Sequence, residues 1–188
     1  MMTKERYNYL FYSILATLVV VLIFVSNTLS ISYKEALNVF ENTSVLTYIT
    51  KTSIYLFGQN DIALRLPFLI FYILSVLLMY KITDNYFKNE KDRFVSILIF
   101  MVLPGVLSAS LLVNSAIIVT FFTLLYVYYY KTYEKHSYIL LSLYVLIDNS
   151  FAILFLAIFF FSLNKKDKKI LFYSLFLFAL SMYIYGFD

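Results

Sequence analysis

The sequence predicts an all-α, polytopic membrane protein with about seven transmembrane segments and two interfacial helices in its first external loop. The first observation is composition: of 188 residues, 62% are hydrophobic and only 14% are charged, and the mean hydropathy is +0.82. About a quarter of the residues of a water-soluble domain are charged. The second observation is order along the chain, since apolar residues form long runs with basic residues beside them. Membrane lipids are therefore the expected partners.

The composition also excludes several classes of protein. Apolar residues are too abundant for a disordered chain. The chain has no Cys and one His, which excludes a disulfide framework and metal sites built from Cys or clustered His. No metal site is predicted, and the cofactor requirement stays unknown. The net charge of +4 does not indicate a nucleic-acid partner, because the basic residues flank apolar runs and form no phosphate-binding face.

The first membrane segment is predicted at residues 9–31. Lys4 and Arg6 precede this run, which is longer than the hydrophobic part of a secretory signal. Because cytoplasmic segments are enriched in Lys and Arg, the pattern indicates an uncleaved transmembrane helix with a cytoplasmic N-terminus. The expected location is the plasma (inner) membrane, as a multi-pass protein.

The long polar segment 32–66 is predicted to be an external loop that contains two short helices. Ala36, Leu37 and Phe40 lie at helical spacing, and a second apolar series with the same trend begins at Val45. Amphipathic helices of this kind lie in the membrane interface.

The second span is predicted at residues 67–83. Pro67 is placed in its first turn, where a missing N–H costs little, and Asp61 is the expected helix cap. The loop that follows carries Lys88 and Arg93, among other basic residues, and is predicted to be cytoplasmic.

The apolar run 94–130 is too long for one crossing. As a single helix it would extend about 55 Å, whereas the hydrocarbon core is about 30 Å thick. The run is therefore divided into spans at 94–112 and 114–130, with a break in the region from Pro104 to Ser115.

A short membrane hairpin is predicted next, with arms at 138–147 and 151–163 and Asp148 at or near its tip. Basic residues at 131–135 and at 165–169 flank the hairpin, so both flanks are expected in the cytoplasm. A single crossing would place Asp148 in the middle of the bilayer, where a carboxylate is costly.

The last span is predicted at residues 170–185, which places the C-terminus outside. The sequence shows no internal repeat and no low-complexity linker. Residues 1–188 are therefore expected to form a single membrane domain.

Residues 56–67, which read Leu-Phe-Gly-Gln-Asn-Asp-Ile-Ala-Leu-Arg-Leu-Pro, resemble a segment that GT-C-type membrane glycosyltransferases carry just before their second span. Protein mannosyltransferases and aminoarabinose transferases belong to this group. The predicted layout is similar to their conserved N-terminal module as well. The resemblance implies an enzyme of the cell envelope that takes a sugar from a polyprenyl-phosphate lipid and transfers it on the external face.

The resemblance also implies candidate site residues in the external loop. Glu35 stands where the family usually carries an Asp-Glu pair, and it is the candidate catalytic carboxylate. The alternative is a solvated charge beside Lys34. Arg65 and Lys51 are candidates for binding the lipid phosphate. The alternative for Arg65 is an interface anchor that pairs with Asp61.

Two further residues are candidates for substrate binding. Asn114 occupies a place where the family commonly has an Asp, although hydrogen bonding between helices is the commoner role of such a residue. Asp148 is the one acidic residue within an apolar run, so it is either functional or the cap of a turn.

The family's C-terminal module is not present in the sequence. We therefore expect a truncated or split enzyme, with a partner chain that supplies the missing module. The alternative is a non-catalytic membrane protein, either a degenerate remnant or a scaffold subunit. A small transporter is less favoured, because the spans contain few charges and no inverted repeat.

Overall fold

The computed structural model describes residues 4–40, 45–132 and 134–186, and the side chains of residues 131–137 lie outside this description. The described residues form α-helices and no strand, which confirms the all-α class. In chain order the helices are α1 (Lys4–Thr28), α2 (Tyr33–Phe40), α3 (Val45–Phe57), α4 (Asp61–Tyr86), α5 (Glu90–Val102), α6 (Pro104–Leu111), α7 (Ala116–Thr132), α8 (Glu134–Tyr144), α9 (Phe151–Lys165) and α10 (Lys168–Tyr185).

Three of these helices, α1, α4 and α10, are long and apolar enough to cross a membrane. The pair α5 and α6 passes the same test as one span bent by 47°. Helices α7 and α9 are apolar but shorter. The fold is therefore that of an all-α membrane protein, whereas the count of seven spans stays a prediction.

The chain divides into two compact units, residues 1–124 and 125–188. In the first unit, α4 packs against α1, α3, α5 and α6, so it is the central helix there. In the second unit, α9 and α10 pack against each other on either side of a short turn. The single membrane domain expected from the sequence stays a prediction.

The start of α4 differs from the prediction. The helix begins at Asp61, and Asn60 is its cap, with the side-chain oxygen accepting from the Ala63 N–H at 2.6 Å. Pro67 therefore lies inside the helix, where it cannot donate to the Ala63 carbonyl. The Ser53 hydroxyl of α3 donates to that carbonyl at 2.6 Å instead. A side chain from a neighbouring helix thus replaces the missing hydrogen bond.

Gly58, within the segment 56–67, forms part of the turn between α3 and α4. Gly58 has a φ of +88°, a backbone conformation that residues with a Cβ rarely adopt. This turn brings α3 back against α4, since the two helices pack together.

The predicted break in the long apolar run is confirmed. Helix α5 ends before Leu103, Pro104 is the first residue of α6, and the segment 112–115 between α6 and α7 is not helical. Backbone groups outside a helix need other hydrogen-bond partners when they lie among apolar side chains. Side chains of α2 and α4 supply those partners.

Candidate functional site

Arg65 lies in the core of the first unit, with its side chain fully buried. Its Nε donates to the Leu111 carbonyl at 2.8 Å. Its Nη1 donates to the carbonyls of Ser26 and Leu29 at 2.8 and 2.7 Å, and its Nη2 donates to the Ser30 carbonyl at 3.2 Å. These carbonyls belong to the C-terminal end of α1 and to the end of α6. A buried cation at a helix C-terminus is favourable, because unpaired carbonyls and the helix dipole place negative charge there.

Glu35 of α2 lies beside Arg65 and is only 4% exposed. Its Oε1 is 3.8 Å from Arg65 Nη2 and accepts from the Val113 N–H at 3.0 Å. Its Oε2 accepts from the Ser32 N–H at 2.8 Å, while the Ser32 hydroxyl accepts from the Glu35 N–H at 3.3 Å. This reciprocal pair caps the start of α2. Both carboxylate oxygens are therefore engaged by the protein itself.

Asn38 completes a set of contacts that we call the Arg65 cluster, which consists of Arg65, Glu35, Ser32 and Asn38. The Asn38 side-chain amide donates to the Val113 carbonyl at 3.0 Å. Both backbone groups of Val113, in the break between α6 and α7, are thus bonded to α2. The cluster joins the ends of α1 and α6 to the first helix of the loop.

The environment of Glu35 acts on its pKa in two directions. Burial by itself raises the pKa of this carboxyl. Hydrogen bonds from Ser32 and Val113 and the positive charge of Arg65 outweigh burial, so the pKa of Glu35 lies below its usual value. Glu35 is therefore an anion at neutral pH, held in place by donors.

A cavity of about 370 Å³ is lined by α2, α3 and α4, and its lining includes Ala36 and Leu64, the chain neighbours of Glu35 and Arg65. We call it the α2–α4 cavity. Its walls include the apolar side chains of Ala36, Val39 and Leu64, and its polar lining consists of Gln59, Asn60 and Asp61. The volume lies in the range of about 300–1,000 Å³ that is typical of small-molecule sites. Apolar walls with a few polar groups are also typical of such sites.

Asp61 differs from Glu35 in its surroundings. It is partly exposed at the first turn of α4, and no hydrogen bond or ion pair joins its side chain to any residue within the described ranges. The Asp61–Arg65 pair considered from the sequence is not formed, because Arg65 contacts Glu35 instead. The expected capping role of Asp61 was also wrong, because Asn60 caps the helix.

The other predicted site residues are placed as follows. Lys51 is exposed on α3. Asn114 lies in the break before α7, where its side-chain oxygen accepts from the Ala116 N–H at 3.0 Å. Asp148 belongs to the second unit and lies in the turn between α8 and α9, where its Oδ1 accepts from the Ser150 N–H at 2.8 Å. The turn predicted at Asp148 is present, while substrate binding by these residues stays a prediction.

Within the described ranges, no group of three or more acidic or His side chains is placed so that it could hold a metal ion. Arg65 and Glu35 are the two predicted site residues that the structure brings together. The position of Asp61 at the α2–α4 cavity was not predicted from the sequence. The available signal was Asn60, since Asn is among the best helix caps and leaves the next residue free for another role.

Comparisons with known proteins identify the family. No curated protein and no solved structure matches the chain significantly. The sequence model of the family described as dolichyl-phosphate-mannose-protein mannosyltransferase matches residues 42–185. This range contains Asp61, Lys51 and Arg65, and it starts after Glu35. The match covers most of the chain, and it includes residues 56–67, which carry the segment-level resemblance. The chain therefore belongs to the dolichyl-phosphate-mannose-protein mannosyltransferase family, and it is a membrane protein with a GT-C-like glycosyltransferase module.

Proposed function

We propose that this module transfers a sugar from a polyprenyl-phosphate lipid to an acceptor on the external face of the membrane. The observation that carries the proposal is the α2–α4 cavity, which combines apolar walls with the carboxylate of Asp61. Its elements belong to the loop that the sequence predicts to be external. The family match supports the class of reaction.

Asp61 is the proposed base. In the reaction, the acceptor hydroxyl oxygen forms a bond to the anomeric carbon of the sugar. The bond from that carbon to the phosphate oxygen breaks, and the polyprenyl phosphate leaves with the electron pair. The hydroxyl proton passes to a base within hydrogen-bond reach. Asp61 suits this step because it lines the cavity and its side chain has no hydrogen bond or ion pair within the described ranges, whereas both oxygens of Glu35 already accept backbone hydrogen bonds.

Lys51 is the proposed partner of the leaving phosphate, which needs positive charge near it. It lies three residues before Ile54, a cavity-lining residue of α3, and residues three apart share a helix face. Its side chain is exposed. Arg65 is less suited to this role, because its guanidinium is buried and directed at protein oxygens. In this proposal Arg65 and Glu35 position the loop.

The test compares Asp61→Asn with Glu35→Gln in membranes that contain the full chain. The probe is dolichyl-phosphate mannose, the donor in the family's description, together with a second polyprenyl-phosphate sugar, each with a labelled sugar. Loss of label from the lipid fraction is measured, and folding is followed by the thermal midpoint in detergent. The matched control is Asp92→Asn, because Asp92 is an exposed acid in the first turn of α5.

We expect Asp61→Asn to lower turnover by about a hundredfold or more at an unchanged thermal midpoint, since general base catalysis contributes about that much. Asp92→Asn should keep both properties. If Glu35→Gln abolishes turnover in a folded protein while Asp61→Asn does not, the catalytic role belongs to Glu35 as the sequence predicted. If the intact chain consumes neither donor, the enzymatic proposal fails and a non-catalytic membrane protein is favoured.

A further inference from the structure

The second unit contains a separate cavity of about 370 Å³, which we call the α7–α9 cavity. Aromatic and aliphatic side chains form most of its wall, among them Tyr126, Tyr130, Ile158 and Phe161. Ser162 also lines it, but the Ser162 hydroxyl donates to the Ile158 carbonyl at 2.8 Å and is satisfied within α9. The interior therefore suits an apolar group.

One end of this cavity carries charge. Lys165 lines it, and the Lys165 Nζ lies 4.7 Å from the centre of the Phe161 ring, in a cation–π contact. The contact holds the ammonium at the edge of the apolar wall. Lys165 is exposed and forms no ion pair within the described ranges. It is therefore available to an anion that enters with an apolar chain.

The residues around Lys165 strengthen the positive charge. The sequence from 165 to 169 contains four lysines and one acid, Asp167. The Asp167 carboxylate caps α10, accepting from the Lys169 and Ile170 N–H groups at 3.1 and 3.4 Å. Asp167 also lines the cavity, but its carboxylate is thus directed at the start of the helix. Among the four lysines Lys165 is the one that lines the cavity, and the other three are its neighbours along the chain.

We infer that the α7–α9 cavity binds an anionic phospholipid, with an acyl chain against the aromatic wall and the headgroup phosphate at Lys165. A soluble anion would leave the apolar wall unused, and a zwitterionic lipid would bring a headgroup cation beside the lysines together with its phosphate. Lysines next to membrane helices attract anionic lipid in the cytoplasmic leaflet. The basic residues at 165–169 are predicted to face that leaflet. The inference concerns lipid binding alone and does not depend on sugar transfer.

The experiment uses a fluorescent reporter on the wall of the cavity, at Phe161, whose side chain is partly exposed. The chain contains no Trp, so Phe161→Trp supplies a single indole, and a Trp ring also retains the cation–π contact with Lys165. The full-length variant is placed in vesicles of unlabelled phosphatidylcholine. Phosphatidylglycerol or phosphatidylcholine with brominated acyl chains is then added in increasing amounts, and quenching of the indole is measured.

We expect brominated phosphatidylglycerol to quench at a mole fraction about fivefold lower than brominated phosphatidylcholine, the preference expected for one lysine near the membrane surface. Lys165→Gln in the reporter background should remove most of this preference, and Lys165→Arg should keep it. The matched control is Lys91→Gln, because Lys91 is an exposed lysine of α5 that does not line the cavity. Ala157→Phe, which fills the cavity, should reduce quenching by both lipids.

Four outcomes would overturn the inference. Equal quenching by the two lipids would show no headgroup preference, and absence of quenching by either would show that lipid does not enter. A preference that survives Lys165→Gln as fully as Lys91→Gln would remove Lys165 from the site. Loss of the preference on adding inorganic phosphate at constant ionic strength would show a site for free anions instead. Because Lys165 is at the surface, its variants keep the test decisive even if Ala157→Phe does not fold.

Discussion

Two buried arginines, located near opposite ends of α4, stabilise the first unit in different ways. Arg65 lies in the N-terminal part of α4, and Arg93 of α5 contacts the C-terminal part of α4 through Tyr80 and Asp84. The stretch of α4 between Arg65 and Asp84 is roughly 28 Å long at 1.5 Å per residue. This length is close to the thickness of the hydrocarbon core, about 30 Å.

The two arginines differ mainly in their partners. Arg65 donates to four backbone carbonyls and lies beside the buried Glu35. The Arg93 cluster consists of Arg93, Tyr80, Asp84, Glu90 and Lys4. In it, Arg93 Nη1 lies 2.7 Å from Asp84 and 3.3 Å from Glu90, whose side chains are 54% and 34% exposed. The Arg93 guanidinium also lies 4.2 Å from the centre of the Tyr80 ring.

The Arg93–Asp84 ion pair is shorter than the Arg65–Glu35 pair, yet its loss should lower stability less. Water can solvate Asp84 and Glu90 when Arg93 is lost, so the cost of losing these pairs is small. Water cannot reach the carbonyls around Arg65 as easily, and an unpaired buried carboxylate would remain at Glu35. Four predictions test this difference, in order of decreasing effect.

Arg65→Leu should have the largest effect. The change leaves four carbonyls without their donor and Glu35 without its counter-charge, and breaking such a buried pair lowers the free energy of unfolding by about 3–5 kcal/mol. We expect little monodisperse protein after detergent extraction, measured by size-exclusion chromatography, and a large drop in the thermal midpoint by circular dichroism. Arg65→Lys should have a thermal midpoint between those of the wild type and Arg65→Leu, because an ammonium has three donors whereas the guanidinium has five. A loss of stability no larger than that of Arg93→Gln would contradict the difference between the two arginines.

Glu35→Gln should have the second largest effect. Its amide nitrogen cannot accept a hydrogen bond, so one of the N–H groups of Ser32 and Val113 loses its acceptor, and Arg65 loses its counter-charge. The expected loss of unfolding free energy is about 1–3 kcal/mol. It can be measured by denaturant or thermal unfolding in detergent, with Glu5→Gln, at an exposed acid of α1, as the control.

The pH dependence of this loss provides a further check. The pKa of Glu35 is lower in the folded protein than its ordinary value of 4.5. The folded carboxyl therefore binds protons less readily than the unfolded one, and its stabilising effect is complete above pH 4.5 and declines as the pH falls through the folded value. The difference between wild type and Glu35→Gln should narrow below pH 4.5. A difference that is constant from pH 7 to pH 3 would contradict the ionised pair.

Arg93→Gln should have a smaller effect, about 1–2 kcal/mol, from the loss of the cation–π contact and partly exposed ion pairs. The effect should shrink at high salt, because salt screens exposed charges. The measurement is the thermal midpoint at low salt and near 1 M salt. The loss of thermal stability in the Arg65 variants should depend much less on salt, since the Arg65–Glu35 pair that they remove or alter is buried.

Lys4→Gln should have the smallest effect. Lys4 lies 3.7 Å from Asp84 and 3.5 Å from Glu90, and its side chain is 59% exposed. An exposed pair of this kind contributes about 0–1 kcal/mol. The thermal midpoint should shift by no more than the scatter between repeat measurements. A loss as large as that of Arg93→Gln would show that the cluster acts as one network.

Local patterns predicted several parts of the fold correctly. Helical spacing in the segment 32–66 predicted the two short helices, and the length of the run 94–130 predicted a break within it. The polar triplet at Asp148 predicted the turn between α8 and α9. The start of α4 was placed at Pro67 because proline is common in the first turn. That placement was wrong because the Ser53 hydroxyl accommodates an internal proline, and this contact comes from another helix.

The candidate site was less predictable. Glu35 and Arg65 were singled out by residue type, but the sequence indicated neither their proximity nor their backbone partners. Arg65 reaches carbonyls 35 to 46 residues away in the chain. Residue type alone also could not separate Glu35, with both oxygens engaged, from Asp61, which lines the α2–α4 cavity.

The sequence by itself determined the membrane class, the family and the order of helices, because these depend on composition, on runs of apolar residues and on a short segment of neighbouring residues. Only the tertiary structure decided which charged groups are buried with partners and which line a cavity. The physical reason is that a buried charge needs several donors or acceptors at once. Those groups come from chain segments far apart, which only the packing of the helices brings together.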